Sequence, residues 1–362
     1  MGRTGFAKLP TKALLFVNMV ILMNILIHVN INTKKDIILL KNEKSETTQN
    51  EDDKDKGCWN LKLREEMGNN LYNCKKGQEP INRGALMDTL DEFRQVYDTR
   101  PFNNKHGTAI MHQFALWSLI RHLDPLFIIE SGVNTGLGTW LLRQAAPKAK
   151  LIMLDPQDLL KFRDAEDDSV YFIGPEFKDF ASINWETLID DKERTVVFID
   201  DHQSHFKRII QALDLGFKHL IFDDNPYIGG DLYSVRQACD ARRCIEDSLG
   251  ISEGFSINLK DDFGRSMETV SEEKALEMAE FLFDQIDVYF EFPPIWVANV
   301  DYHFKRYYSV LNITRSSWGQ INPAPLLEGR DADDFKERFQ YKLTRFDDSY
   351  ENICYVKLKH KG

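Results

Sequence analysis

Short apolar runs alternate with helical segments along the chain from about residue 80. Each run holds four or five apolar residues, and a helical pattern separates it from the next. Runs linked in this way are typical of parallel strands that are buried on both faces of a sheet. The pattern therefore predicts an α/β fold with a Rossmann-like, doubly wound and mostly parallel sheet. The predicted strands are 126–130, 150–156, 170–174, 195–201 and 218–225, and the predicted helices include 108–123, 139–146 and 204–216.

The alternation stops after residue 225. Residues 226–300 contain a helical pattern at 271–286 and an apolar stretch at 288–296, and we interpret this range as a cap inserted over the strand ends. Near the C-terminus, residues 350–359 show the alternation of a strand, which could supply an edge of the sheet.

The N-terminal residues predict a membrane anchor. Residues 13–31 carry no formal charge, and their number is close to the ~20 that a membrane-spanning helix needs. Basic residues precede this segment, which favours a cytosolic tail at 1–12. A cleaved signal peptide is the alternative, although the small-residue cleavage pattern is missing. Residues 32–57 are too polar to fold and are predicted to form a disordered stem. The layout predicts a single-pass type II protein of the Golgi or endoplasmic reticulum, with a luminal domain at 58–362.

Composition narrows the classes of partner. The chain has 362 residues, of which 43% are hydrophobic, so it can bury a sizeable core. Its formal net charge of −11 gives no broad basic surface, which argues against nucleic acid as a partner. The sequence does not fix the oligomeric state.

The cysteines and one glycosylation motif agree with a luminal domain. None of the five cysteines is in a CxxC arrangement, so a zinc site is not indicated. In an oxidising compartment Cys58 could pair with Cys74, and Cys239 with Cys244, whereas Cys354 lies in a strand-like segment and is predicted to be a buried thiol. Asn312 begins an N-glycosylation motif, which would make the protein a glycoprotein if it is used.

A glycine-rich loop follows the first predicted strand, in the stretch FIIESGVNTGLGTW at residues 127–140. Its glycines do not match the GxGxxG fingerprint of dinucleotide sites, and the Gly-Lys-Ser/Thr of a Walker loop is absent. Ligands of doubly wound sheets bind at the carboxyl ends of the strands, which is where this loop lies. The loop is therefore predicted to bind a cofactor rather than to be a structural turn. Its glycines are Gly132, Gly136 and Gly138.

This loop resembles the first motif of class I S-adenosylmethionine-dependent methyltransferases, in which an acidic residue precedes a glycine loop. The resemblance implies S-adenosylmethionine as cofactor, with Glu130 as the acidic residue of the motif. It also implies that Asp155, at the end of the second strand, accepts hydrogen bonds from the ribose hydroxyls.

Two pairs of aspartates end the fourth and fifth predicted strands: Asp200 and Asp201, then Asp223 and Asp224. Carboxylates that lie this close repel one another unless a cation lies between them. Mg2+ or another divalent cation with oxygen ligands would relieve the repulsion. The alternative is that each pair is solvated or caps a helix.

The order of these motifs resembles the metal-dependent O-methyltransferases, both the catechol type and the macrolide-sugar type with its relatives in the cephalosporin hydroxylase family. The resemblance spans about residues 105–225 and implies Asp200 or Asp201 as the first metal ligand. It implies Asp223 and Asp224 as the others, with Asn225 as an alternative. The segment DDHQSH is out of register with the sugar type by about one residue, which leaves the first ligand open between the two aspartates.

Histidines and two flanking segments complete the candidate site. His202 and His205 follow the fourth strand, and a neutral imidazole there could take the proton of a hydroxyl bound to the metal. Residues 100–107, with Lys105 and His106, could form a lid or an ordinary surface loop. Candidates for contact with the acceptor are Tyr227, Tyr233 and Arg236, in a segment that could equally be a structural hairpin.

Together these features predict transfer of a methyl group from S-adenosylmethionine to a hydroxyl, assisted by a divalent cation. The acceptor would be a small molecule or a glycan of the secretory pathway. The alternatives are a metal-dependent glycosyltransferase, a hydroxylase, and a non-catalytic binding domain on a methyltransferase-like scaffold. The glycine loop argues against the glycosyltransferase, which ordinarily needs none at that place.

Overall fold

A computed structural model describes residues 75–104, 107–225, 234–239, 255–261, 264–270, 272–298, 323–344 and 347–359. The chain divides into two units, Met1–Asp53 and Lys54–Gly362, and all described residues belong to the second. The predicted tail, anchor and stem lie outside the described residues, as do Cys58, Cys74 and Asn312. Within the described part, no helix has the length and apolar character required to span a membrane.

Six α-helices and nine strands are formed by the described residues. The helices are α1 Arg83–Asp98, α2 Ile110–Leu123, α3 Leu137–Ala145, α4 His205–Leu215, α5 Glu272–Gln285 and α6 Gly329–Glu337. The strands are β1 Phe127–Ser131, β2 Lys150–Asp155, β3 Val170–Ile173, β4 Thr195–Ile199, β5 His219–Phe222, β6 Phe255–Asp261, β7 Gly264–Val270, β8 Ile286–Glu291 and β9 Cys354–Leu358.

Seven strands form one mixed sheet in the order β3-β2-β1-β4-β5-β9-β8. Strands β1 to β5 are parallel, and Ile129 of β1 lies opposite Ile152 of β2 and Val197 of β4. Strands β2 and β3 are added on one side of β1, and β4 and β5 are then added on its other side. This order confirms the Rossmann-like, doubly wound α/β prediction, and it places the switch point between β1 and β4.

The far side of the sheet differs from the sequence prediction. Strand β9 was expected at an edge, but it lies between β5 and β8 and is antiparallel to both. Its side chains are buried at Cys354, Tyr355 and Val356, because neighbouring strands and both sheet faces cover them. The edge strand is β8, which comes from the range predicted as a cap. Within that range, β6 and β7 form a separate antiparallel hairpin.

Two apolar clusters cover the two faces of the large sheet. Alternate residues of a strand point to opposite faces, so Ile128 belongs to one cluster and Ile129 to the other. Helices α1, α2 and α3 pack on the first face, and α4 and α5 contribute to the second. Helix α2 is buried on all sides from Ile110 to Ile120. The carboxyl ends of the strands are therefore supported by apolar packing on both faces.

The cysteine predictions can be tested at two positions. Cys354 is a buried free thiol, as predicted. Burial raises the pKa of this thiol well above its usual value, so it stays protonated. Cys239 is disulfide-bonded, and its predicted partner, Cys244, lies outside the described residues.

Residues 157–164, which we call the strap, cross the glycine loop after β2. The backbone amides of Lys161 and Phe162 donate to the carbonyl of Thr135 at 3.0 and 3.2 Å. Arg143 of α3 holds the end of the strap, because its Nε and Nη2 donate to the two carboxylate oxygens of Asp164 at 3.0 and 2.7 Å. The remaining Nη1 donates to the carbonyls that follow α3, so this guanidinium ties the strap to the helix.

We predict that Arg143→Ala lowers the free energy of unfolding by about 2–4 kcal/mol, because it leaves the carboxylate of Asp164 with little exposure and without its bidentate partner. Arg163→Ala serves as the matched control. Arg163 pairs with Asp158 in the same strap, but both side chains are about half exposed, so a loss of no more than about 1 kcal/mol is expected. Urea denaturation measures both. Equal losses would show that the clamp at Arg143 does not stabilise the strap.

Candidate active site

The glycine loop joins β1 to α3 at the switch point of the sheet. Gly132 has φ +92°, and a Cβ there would collide with the backbone carbonyl of Asp200. Gly136 has φ +85°, and its Cβ would lie 2.5 Å from the carbonyl oxygen of Phe162 in the strap. Both positions need glycine for two reasons. Residues with a side chain rarely adopt a positive φ, and a Cβ atom would overlap a backbone carbonyl at either position. The loop thus passes close to β4 on one side and to the strap on the other.

Glu130 lies beneath this loop, with only 2% of its surface exposed. Its Oε2 accepts a hydrogen bond of 2.5 Å from the hydroxyl of Thr139, and a Cβ on Gly138 would collide with Oε1. Burial raises the pKa of this carboxyl to about 8, and the nearby charge of Asp155 adds to the shift. The structure therefore places Glu130 as a support for the first turn of α3.

Asp155 holds the glycine loop from the end of β2. Its Oδ2 accepts hydrogen bonds from the backbone amides of Val133 and Asn134, both at 2.8 Å. Its Oδ1 accepts from the amide of Gln157 at 2.7 Å. A carboxylate has about four acceptor positions, so one position on Oδ1 is left for a ligand hydroxyl. The contact between Asp155 and the ribose hydroxyls stays a prediction, and Oδ1 is the atom that would accept the hydrogen bond.

Asp200, His202 and Asp224 form a cluster at the ends of β4 and β5. One ligand-capable atom of each lies within 4.8 Å of the others. Burial and the charges of Asp223 and Asp224 raise the pKa of Asp200 well above its usual value. Thr108 donates to Oδ2 of Asp200 at 3.2 Å. The donor set of carboxylates and an imidazole fits a divalent cation.

Asp201 is not part of this cluster. Its Oδ2 accepts from the hydroxyl of Ser131 at 2.6 Å and from Nε of Arg208 at 2.9 Å. Arg208 is 3% exposed and also binds Asp179. Of the two aspartates that the sequence left open as first ligand, the structure brings Asp200 to the cluster and pairs Asp201 with arginine.

Asp223 is buried beside the cluster and is oriented by His112 of α2. The backbone amide of Glu351 donates to Nε2 of His112 at 2.8 Å, so this nitrogen carries no proton. The proton must then be on Nδ1, which donates to Oδ1 of Asp223 at 3.0 Å. Within the described residues, Oδ2 of Asp223 has no hydrogen-bond partner. The sequence analysis missed His112, since no local motif links α2 to β5.

Asn225 and Arg236 point into the protein interior. The side chain of Asn225 donates to the hydroxyl of Tyr289 at 2.9 Å and accepts from the amide of Arg236 at 3.0 Å. Arg236 is fully buried and forms an ion pair of 2.6 Å with Glu291. The structure therefore does not bring Asn225 to the cluster, and the prediction that Arg236 contacts the acceptor is wrong. Tyr227, Tyr233, Lys105 and His106 lie outside the described residues.

The two histidines predicted as bases are in different environments. His205 is 2% exposed and stacks on Phe222 with ring centroids 4.0 Å apart. Its Nδ1 accepts from the amide of Val235 at 3.3 Å, and burial lowers its pKa to about 3. A histidine buried in this way stays neutral at ordinary pH, and within the described residues it is covered from solvent. His202 is more than half exposed and lies at the cluster.

No protein-family model and no curated protein sequence matches the chain. It is similar to the solved structure of the SAH-bound Podospora anserina methyltransferase PaMTH1, at 13% identity and a TM-score of 0.25, over 67% of this chain and 88% of that one.

Two further solved structures are similar to the chain. One is the O-methyltransferase TomG from Streptomyces achromogenes, in complex with SAM, at 16% identity and a TM-score of 0.25, over 58% of this chain and 94% of that one. The other is an O-methyltransferase from Bacillus cereus in complex with SAH, at 13% identity and a TM-score of 0.23, over 59% of this chain and 98% of that one. Because the scores are low, the fold assignment rests on strand order.

We predict that Glu130→Gln raises the free energy of unfolding more at pH 9 than at pH 5. The folded protein holds the Glu130 proton up to a pKa of about 8, whereas the unfolded chain releases it near 4.5, so the wild type loses stability as the pH rises between these values. Each pKa unit corresponds to about 1.4 kcal/mol, and the amide removes the loss. Denaturant titrations at both pH values measure the difference. An equal effect at both would contradict a neutral, buried Glu130.

We predict opposite stability changes for Asp200→Asn and Asp201→Asn in the absence of divalent cations. Asp200→Asn relieves repulsion between carboxylates and keeps an acceptor for Thr108, so the free energy of unfolding should rise. Asp201→Asn removes charge from a buried pair with Arg208, so a loss of about 1–3 kcal/mol is expected. Thermal and urea denaturation at neutral pH measure both. Changes of the same sign would show that the two aspartates are not in distinct environments.

Proposed function

We propose that this protein transfers the methyl group of S-adenosylmethionine to a hydroxyl of its acceptor, with a divalent cation bound at the acidic cluster. One observation carries the proposal. The glycine loop and the acidic cluster meet at the switch point, since Gly132 packs against the backbone carbonyl of Asp200. A cofactor on the loop and a cation on the cluster would therefore be neighbours, as a cation-assisted O-methyl transfer requires.

The glycine loop provides the groups that would bind the cofactor. Helix α3 begins after Gly136 without a side-chain cap, so no described side chain satisfies the amides of its first turn. Amides at a helix N-terminus favour a carboxylate, such as that of the methionyl part. The remaining acceptor position on Asp155 Oδ1 would take a ribose hydroxyl. S-adenosylmethionine, when bound, supplies an electrophilic methyl group.

The acidic cluster provides the ligands for a cation. Asp200 and Asp224 face one another across the ends of β4 and β5, and Asp223 adds a buried carboxylate that His112 orients. These oxygens suit Mg2+, the ion expected from the sequence, as well as other divalent cations. When bound, the ion lowers the pKa of a hydroxyl that it contacts. Thr108 and His112 keep the carboxylates in position for it.

For the acceptor we propose a hydroxylated glycan or small molecule of the secretory pathway. The support is the sequence alone, in which the uncharged segment 13–31 and the polar stem 32–57 precede the domain. The same features support a single-pass type II protein with a luminal domain. The alternatives of a glycosyltransferase, a hydroxylase or a silent binding domain have no observation in the described residues that favours them over methyl transfer.

The test is calorimetric titration of the full chain in detergent with S-adenosylmethionine. We predict saturable binding that Gly136→Ala weakens at least about tenfold, or by about 1.4 kcal/mol, because the new Cβ lies 2.5 Å from the carbonyl oxygen of Phe162. Gly216→Ala is the matched control. Gly216 also has a positive φ, of +81°, but it caps α4 and a Cβ there makes only an ordinary contact with Lys192. The control should bind like the wild type.

Two further measurements test the reaction itself and the alternative functions. Release of S-adenosylhomocysteine with a panel of catechols and sugars, with and without Mg2+, would identify the acceptor class. Titration with a mixture of nucleotide sugars tests the glycosyltransferase. If the folded protein binds nucleotide sugars and not S-adenosylmethionine, methyl transfer is refuted.

A further inference from the structure

His202 belongs to the acidic cluster by its position. Its Nδ1 lies 3.4 Å from Oδ2 of Asp224, and a ligand-capable atom of Asp200 lies within 4.8 Å of both. Ligand atoms that share one octahedral ion at about 2.1 Å are roughly 3 Å apart when adjacent and about 4.2 Å apart when opposite. The three side chains therefore need only small adjustments to bind one ion.

The chain around His202 explains why this residue faces the site. Asp200 and His202 are separated by Asp201, whose carboxylate is turned away to Arg208 and Ser131. The backbone turns at this point, since Asp201 lies in a bend and His202 has a left-handed φ of +54°. With Asp201 paired to Arg208, this turn brings the side chains of Asp200 and His202 together at the cluster.

A second observation points to a ligand at the same place. Asp223 is 4% exposed, and only its Oδ1 is hydrogen-bonded, to His112. Its backbone amide donates to the carbonyl of Ile199, the last residue of β4, at 3.0 Å, so Asp223 lies beside the strand end that carries Asp200. An aspartate this deeply buried, with only one carboxylate oxygen hydrogen-bonded within the described residues and two further carboxylates nearby, is a costly arrangement without a cation.

We propose that the His202 imidazole is a metal ligand, and that the site therefore prefers Mn2+, Fe2+ or Co2+ over Mg2+. This inference rests on the proposed function and refines its cation. Imidazole nitrogen is a ligand that first-row transition metals bind well, whereas Mg2+ takes oxygen ligands and retains its waters. A histidine that binds the ion through one nitrogen has its proton on the other. His202 is then not the base for the acceptor hydroxyl.

The experiment is calorimetric titration of the chelator-treated full chain with Mn2+ and, separately, with Mg2+. We expect Mn2+ to bind at least about tenfold more tightly than Mg2+, which corresponds to about 1.4 kcal/mol. His202→Gln should remove most of this preference by weakening Mn2+, with little change for Mg2+. His122→Gln is the matched control, because His122 is an exposed histidine in the last turn of α2.

Electron paramagnetic resonance of the Mn2+-loaded protein gives a second readout. A nitrogen coupling to the ion is expected in the wild type and in His122→Gln, and its loss is expected in His202→Gln. His202 is 57% exposed, so its replacement should leave the melting temperature unchanged. Equal affinities for the two ions, no cation binding, or a nitrogen coupling that survives in His202→Gln would each overturn the proposal.

Titration of the same samples with S-adenosylmethionine separates the two hypotheses. Binding of the cofactor without a preference for Mn2+ refutes only the role of His202. A histidine-dependent Mn2+ site in a protein that does not bind the cofactor refutes the methyltransferase and leaves the metal ligand established.

Discussion

The structure depends on a close approach between two backbone segments at the switch point of the sheet. The residue after β1, Gly132, packs on the carbonyl of Asp200, and the amide of Asp200 donates to the carbonyl of Ser131 at 2.7 Å. The amide of Gly132 also donates to the carbonyl of Leu154 at the end of β2. Three strands are thus fixed at their carboxyl ends, and the glycine loop and the first acidic residue cannot move independently.

Each aspartate pair divides its two carboxylates between different partners. In the first pair, Asp201 is neutralised by Arg208, and Asp200 is left at the cluster. In the second pair, Asp223 accepts from His112, and Asp224 lies against His202. A carboxylate that has a donor or cationic partner stabilises the folded chain, whereas carboxylates that lie close together without such partners destabilise it. The site thus retains electrostatic repulsion that a bound cation would remove.

Most of the sheet could be predicted from sequence, because buried parallel strands leave unbroken apolar runs. The prediction of 126–130 for β1 and the end of α4 at Gly216 agree with the structure to within about a residue. The position of β8 could not be predicted, since it is set by antiparallel pairing with the distant strand β9, in which Ile286 lies opposite Leu358 and Glu291 opposite Cys354. The choice between Asp200 and Asp201 also depends on a distant contact, with Arg208, that no local pattern contains.

The placement of β9 has a consequence for how the protein is made. Strand β9 is synthesised after the other eight described strands, yet it lies between β5 and β8, so β8 has no place in the sheet until β9 arrives. The segment before β9 also supplies the amide of Glu351, which sets the tautomer of His112. During translation the first five strands could assemble while the acidic residues still lack their final orientation. A nascent chain could therefore pair its five parallel strands before Asp223 acquires the partner that orients it.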